Sequence, residues 1–146
     1  EVFWPTLIWN TILPDEQKSL LLGVRDYILN LKETEPDGVK KTNYGGWQSK
    51  SYSQYPETLI PFSTAINEAI KSCAQQIGVP ELRLKNFWYI SYYLPPLDKY
   101  NNVTGERASY SPETGKLLIF PSWTKHSVDG SRSEQQRISM SFNYGV

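Results

Sequence analysis

The chain is predicted to fold as a mainly β domain with flanking helices, on three observations. From Arg137 to Tyr144 polar and apolar residues alternate strictly, the period of a strand with one buried face. Before it, Gly115-Lys116 leads into the apolar run Leu117-Leu118-Ile119-Phe120, and the turn residues Asp129-Gly130-Ser131 stand between the two, the pattern of antiparallel strands joined by a turn. Earlier, two long segments repeat apolar residues at helical spacing.

The first helix is expected over 14–32. It opens on Pro14 with acidic residues behind it and carries Leu20, Leu21, Val24, Ile28 and Leu31 on one stripe. The second is expected over 56–77, with Leu59, Phe62, Ile66, Ala69, Ile70, Cys73 and Ile77 on its stripe and Gly78 and Pro80 as a stop. Both stripes predict packing on the outer face of a sheet. Cys73 lies on the second stripe and reads as a packed small apolar residue rather than a nucleophile. Strands are expected at 2–9, 83–94, 107–110, 116–120, 126–129 and 136–144, the third weak and the fifth short. The polar stretch 32–41 reads as a surface loop around Pro36-Asp37-Gly38.

At 146 residues the chain is expected to be one domain with a substantial core. Its 15 basic and 15 acidic residues balance to zero net charge, so no electrostatic partner such as nucleic acid or an anionic membrane is expected. A single cysteine rules out an intramolecular disulfide framework and suits a reducing compartment. With no targeting segment or membrane-length apolar run in the sequence, a cytoplasmic location is expected. Five tryptophans and ten tyrosines suit a β-rich scaffold, chiefly as core and cross-strand packing.

The residues with chemical potential cluster late. Arg137, Ser139, Ser141 and Asn143 share one strand face, and His126, the only histidine, precedes that strand. A guanidinium forks both oxygens of a carboxylate, and a serine hydroxyl on the same face adds a donor. An imidazole nearby can ligate a metal. Two plainer readings stand beside these. His126 can be a structural histidine satisfied by hydrogen bonds, and Arg137 can pair with Glu134 on the solvent side of an edge strand.

The stretch from Gly115 to Asn143 resembles the C-terminal signature of small 2-oxoglutarate/Fe(II) oxygenase-like proteins related to prolyl hydroxylases, with phage and bacterial members. Phe3-Trp4-Pro5-Thr6-Leu7-Ile8-Trp9 and Asn43-Tyr44-Gly45-Gly46-Trp47-Gln48-Ser49 resemble the same group. The resemblance implies a double-stranded β-helix, the jelly-roll or cupin-like fold, with helical support over about 14–77 and the jelly-roll core over about 82–146. It implies Fe(II) as cofactor and 2-oxoglutarate as cosubstrate, with His126 as an iron ligand, Arg137 on the far carboxylate of 2-oxoglutarate and Ser139 assisting. The substrate implied is a small molecule or peptide. Tyr44 and Trp47 are expected either to rim the substrate entrance or simply to lock their loop onto the scaffold.

The chain also departs from that pattern. The family's iron sits on two histidines and a carboxylate, or a third histidine, the first pair in a His-x-Asp or His-x-His motif after a tryptophan-containing strand. Here Asn86-Phe87-Trp88-Tyr89-Ile90 runs straight into Ser91-Tyr92-Tyr93-Leu94, and Leu94 into Pro95-Pro96-Leu97-Asp98. Six strand candidates fall short of the roughly eight that a closed double sheet uses. Two explanations stand: segments are absent near Ile90/Ser91 and Pro95/Pro96, or the protein has lost its iron site and is a non-catalytic jelly-roll binding or phage-associated structural protein. Neither Asp98 nor Asp129 has the spacing to be assigned as a ligand.

Overall fold

The computed structural model describes residues 8–41, 46–92, 109–128 and 136–146, with the backbone alone at residues 91 and 92. The elements run β1 (Trp9–Ile12), α1 (Asp15–Lys18), α2 (Leu20–Thr34), β2 (Gly46–Gln48), a 3-10 turn (Glu57–Leu59), α3 (Ile60–Gln76), β3 (Arg83–Tyr92), β4 (Lys116–Ile119) and β5 (Arg137–Gly145).

Both expected helices are present, each divided near its start. Pro14 is extended (φ −53°, ψ 151°), and its carbonyl accepts from the amides of Gln17 and Lys18 at 2.9 and 3.2 Å, so proline opens the first turn without losing a needed donor. The chain re-forms at Ser19 into α2, which buries Val24 and Ile28 and turns Leu20, Leu21, Tyr27 and Leu31 toward the same core. In α3 the stripe Phe62, Ile66, Ile70 and Cys73 is buried. Its end is set by Gly78 at φ +68°, with Val79 N–H bonded to Ala74 O at 3.0 Å and Gly78 N–H to Gln75 O at 3.3 Å. That pair of bonds is the Schellman stop, and it needs a residue at ease in the left-handed region. The thiol of Cys73 is buried and its pKa pushed up by that burial, as expected of a packing residue.

Two antiparallel sheets form, β1-β4 and β2-β3-β5. In the larger one β3 is central, pairing Gly46 to Gln48 on one side and the whole of β5 on the other. The ladder beside β2 continues through Ser49, whose Oγ accepts from the Tyr89 amide at 3.0 Å while its own amide donates to Tyr89 O at 3.0 Å. It ends at Tyr52, which exchanges both backbone bonds with Phe87 at 2.8 and 2.9 Å. At the other end Leu84 pairs with Tyr144 and Asn86 with Asn143, so Lys85 is an extra residue bulged out of the ladder.

The register assigns the faces. Phe87 opposite Phe142 and Tyr89 opposite Met140 turn toward the helices, where Phe87 and Tyr89 are fully buried with Ile28, Phe62, Ile66 and Ile70. Leu13 joins this core, and Leu117 and Ile119 of β4 pack against it. Its centre is aromatic: Tyr55 stacks on Phe87 at 4.4 Å and 12°, and Tyr27 meets Tyr89 edge-on at 5.8 Å, both favoured quadrupole arrangements.

Several expectations change. Helix and strand share the described residues about equally, so the fold is mixed helix and antiparallel sheet rather than mainly β. A closed jelly roll is not drawn among the described residues. Of the strand expected at 2–9, residues 2–7 lie outside the described set, and Trp9 opens a strand that runs on to Ile12 through its pairing with Lys116–Ile119. Residues 109–110 and 126–128 form no strand, while 107–108 and Asp129 lie outside. Conversely β2, read as loop, is a strand through its bonds to β3. The strand passes through Ile90 and Ser91 with unbroken register, and Pro95/Pro96 lies outside the described residues.

The core carries an alkaline signature. Burial pushes the phenols of Tyr55 and Tyr89 well above their ordinary value near 10. Tyr144 donates to Asn67 Oδ1 at 2.7 Å, and the buried Tyr55 OH near it has no hydrogen-bond partner among the described residues. Above pH ~10 the unfolded chain ionises these phenols while the native one keeps them protonated, so the stability they contribute is present below pH ~10 and lost as pH rises beyond it. Urea titrations at pH 9 and 11 should show a steeper loss for the wild type than for Tyr55→Phe/Tyr89→Phe; equal losses contradict the assignment.

Candidate functional site

The face of the β2-β3-β5 sheet turned away from the helices carries the candidate site. Strict alternation places Arg137, Ser139, Ser141 and Asn143 there. The register with β3 adds Ile90 opposite Ser139, Trp88 opposite Ser141 and Asn86 opposite Asn143. Gln48 of β2, paired with Ile90, extends the Ser139 row across a third strand. Asn143 Nδ2 donates to Asn86 Oδ1 at 2.8 Å, closing one end of this polar track.

This is not the bare solvent side of an edge strand. Arg137, Ser139, Ser141 and Trp88 are half-buried, and Gln48 and Ile90 are only 5 and 6% exposed. A guanidinium and a hydroxyl two residues apart on one strand stand about 7 Å apart along it, and partial burial strengthens what they do to an anion because less water screens the charge. The buried Ile90 side chain beside Ser139 provides an apolar flank for methylene groups. Such a surface is chemically suited to a small carboxylate with an aliphatic body.

His126 stands apart in character. It lies on the exposed segment after β4, with its ring against Phe120 at 4.8 Å. Its Nδ1 is 2.9 Å from Thr124 O. A carbonyl can only accept, so Nδ1 carries the proton and, in the neutral ring, Nε2 keeps its lone pair for a metal or a proton. Among the described residues no three His, Cys, Asp or Glu side chains lie together as a metal site would require.

Trp47 is a core residue: its indole is 6% exposed and its Nε1 donates to Glu35 O at 2.8 Å. Gly38 closes the same loop over it at φ +54°, where a Cβ would sit 2.8 Å from the indole and 2.6 Å from Gln48 O. Trp47 thus ties the 35–39 loop to the edge of the sheet. Tyr44 lies outside the described residues. Sequence reasoning missed Trp88, Ile90 and Gln48; period-2 counting groups Trp88 with Ile90, but only the β3-β5 register shows that their face is also that of Arg137.

A family model described as "Putative 2OG-Fe(II) oxygenase" matches residues 80–143, the stretch that holds β3, β4, His126, Arg137 and Ser139. Over that stretch the chain carries the pattern of a 2-oxoglutarate/Fe(II) oxygenase-like family. Neither the curated proteins nor the solved structures contain a match.

If Trp47 is a lock, Trp47→Phe should cost about 1–3 kcal/mol in urea unfolding, from the lost bond to Glu35 and lost packing. A residue at an exposed rim would change stability by under about 0.5 kcal/mol.

Proposed function

We propose that the chain is an oxygenase of the 2-oxoglutarate/Fe(II) class, hydroxylating a small molecule or peptide, and that the Arg137 face binds the dicarboxylate cosubstrate. The supporting observation is the placement of Arg137 and Ser139 on one half-buried sheet face beside the buried Ile90. In this reading the two sheets are parts of a jelly roll, the helices buttress its outer side, and the protein works in the cytoplasm. Arg137 forks the distal carboxylate and neutralises it, Ser139 adds a donor, and Ile90 shields the methylenes from water.

The described residues do not fit the iron centre of that class. The chain has one histidine, and no three candidate ligands gather among the described residues. His126, with Nε2 unprotonated in its neutral form, is the single imidazole donor proposed for a metal, and no reaction step is derived through iron. What the chain's own residues supply is cosubstrate binding and orientation.

Calorimetric titration of 2-oxoglutarate into the full chain tests this reading. Arg137→Met should weaken binding by roughly 10- to 100-fold, the worth of charge-assisted hydrogen bonds, and Arg137→Lys should fall between, keeping charge but losing the fork. Unchanged affinity in both variants sinks the proposal. Succinate formation with Fe(II) present supports the enzyme; binding without succinate leaves the non-catalytic jelly-roll module.

A further inference from the structure

Trp88 is the unexplained residue of the polar track. Its indole lies on the same face as Arg137 and Ser139, opposite Ser141, with Asn86 and Ile90 as its same-face neighbours on β3. Its Nε1 is buried and has no hydrogen-bond partner among the described residues. An indole N–H can only donate, and a buried donor left unpaired is rare enough to require a reason. Its neighbours differ: Asn86 is already bonded to Asn143, and Ile90 has no polar atom to satisfy.

We propose that Trp88 is a specificity-determining donor of this site, its indole N–H receiving a second acceptor, a keto or carboxylate oxygen, of the ligand whose first carboxylate Arg137 holds. This rests on the Arg137 reading above. Along β5 the row of Trp88 stands about 7 Å from that of Ser139 and about 13 Å from that of Arg137, a span within the combined reach of a guanidinium, an indole and an extended acid between them. The two donors bracket a track with Ser139 and Ile90 between them. An extended acid with acceptors at both ends is matched by such a track, and a monocarboxylate of the same length is not. The indole N–H is the selective element, because a ligand lacking the second acceptor leaves it unpaired.

The test uses the full chain with 2-oxoglutarate and pentanoate as probes, comparing wild type, Trp88→Phe and Arg137→Met. Trp88→Phe should bind 2-oxoglutarate about tenfold more weakly and pentanoate as the wild type does, while its melting temperature is not lowered, since the change removes an unpaired donor. A second readout does not depend on the variant's stability. In ¹H–¹⁵N spectra of the wild type, the Trp88 indole signal should move downfield on adding 2-oxoglutarate and stay in place with pentanoate.

If Trp88→Phe binds 2-oxoglutarate like the wild type, or the indole signal does not move, while Arg137→Met loses binding, the Trp88 proposal is overturned and the Arg137 reading stands. If the wild type does not bind 2-oxoglutarate, or Arg137→Met binds it unchanged, both fall. Equal losses for 2-oxoglutarate and pentanoate in Trp88→Phe also overturn the proposal, because they mark a packing role.

Discussion

The pairing of β3 with β5 is the constraint on which the rest depends. Nine residues of one strand lie along ten of the other, and because side chains alternate, this single register decides both what enters the core and what stands on the opposite face. Phe87, Tyr89, Met140 and Phe142 meet the helices only because Ile90, Trp88, Ser139 and Arg137 face the other way. A slip of β5 by one residue would turn the guanidinium toward the core side and Met140 and Phe142 away from it. The hydrophobic demand of the core therefore fixes the polar face with no separate device. Aromatic stacking at Phe87 and the Ser49 side chain in the ladder reinforce the same register from the other edge.

Much of this was legible because it rests on local periodicity. The helical stripes of α2 and α3, the stop at Gly78 and the alternation of β5 are properties of a few adjacent residues, and the structure follows them closely. What escaped was set by partners distant in sequence. β2 is three residues with no strand pattern of their own, made a strand by Tyr92, Ser91 and Ile90. The run of β1 beyond Trp9 to Ile12 is set by its pairing with Lys116–Ile119. Neither choice is visible from propensity, which competes poorly with long-range pairing.

The candidate site divides along the same line. That Arg137 and Ser139 share a face follows from counting by two. That Trp88, Ile90 and Gln48 join them follows only from which residue sits opposite which. For Trp47 the sequence leaves two places open, a rim and a lock; its indole nitrogen donates to the Glu35 carbonyl and its ring fills the gap under Gly38. The tie between helix end and sheet edge is invisible in the order of residues. For His126 the structure adds what the order of residues does not carry, a ring tautomer set by the Thr124 carbonyl.

The bulge at Lys85 gives the sheet a joint that absorbs length. Leu84 and Asn86 are two apart, yet they pair with the adjacent residues Tyr144 and Asn143, so one faces the core and the other the polar track. Removing the spare residue would leave both on the sides they already occupy, as in an unbroken ladder. Loss of one residue at this corner therefore leaves the side assignments beyond it unchanged. The frame around Arg137 is thus independent of whether the chain carries the extra residue at Lys85.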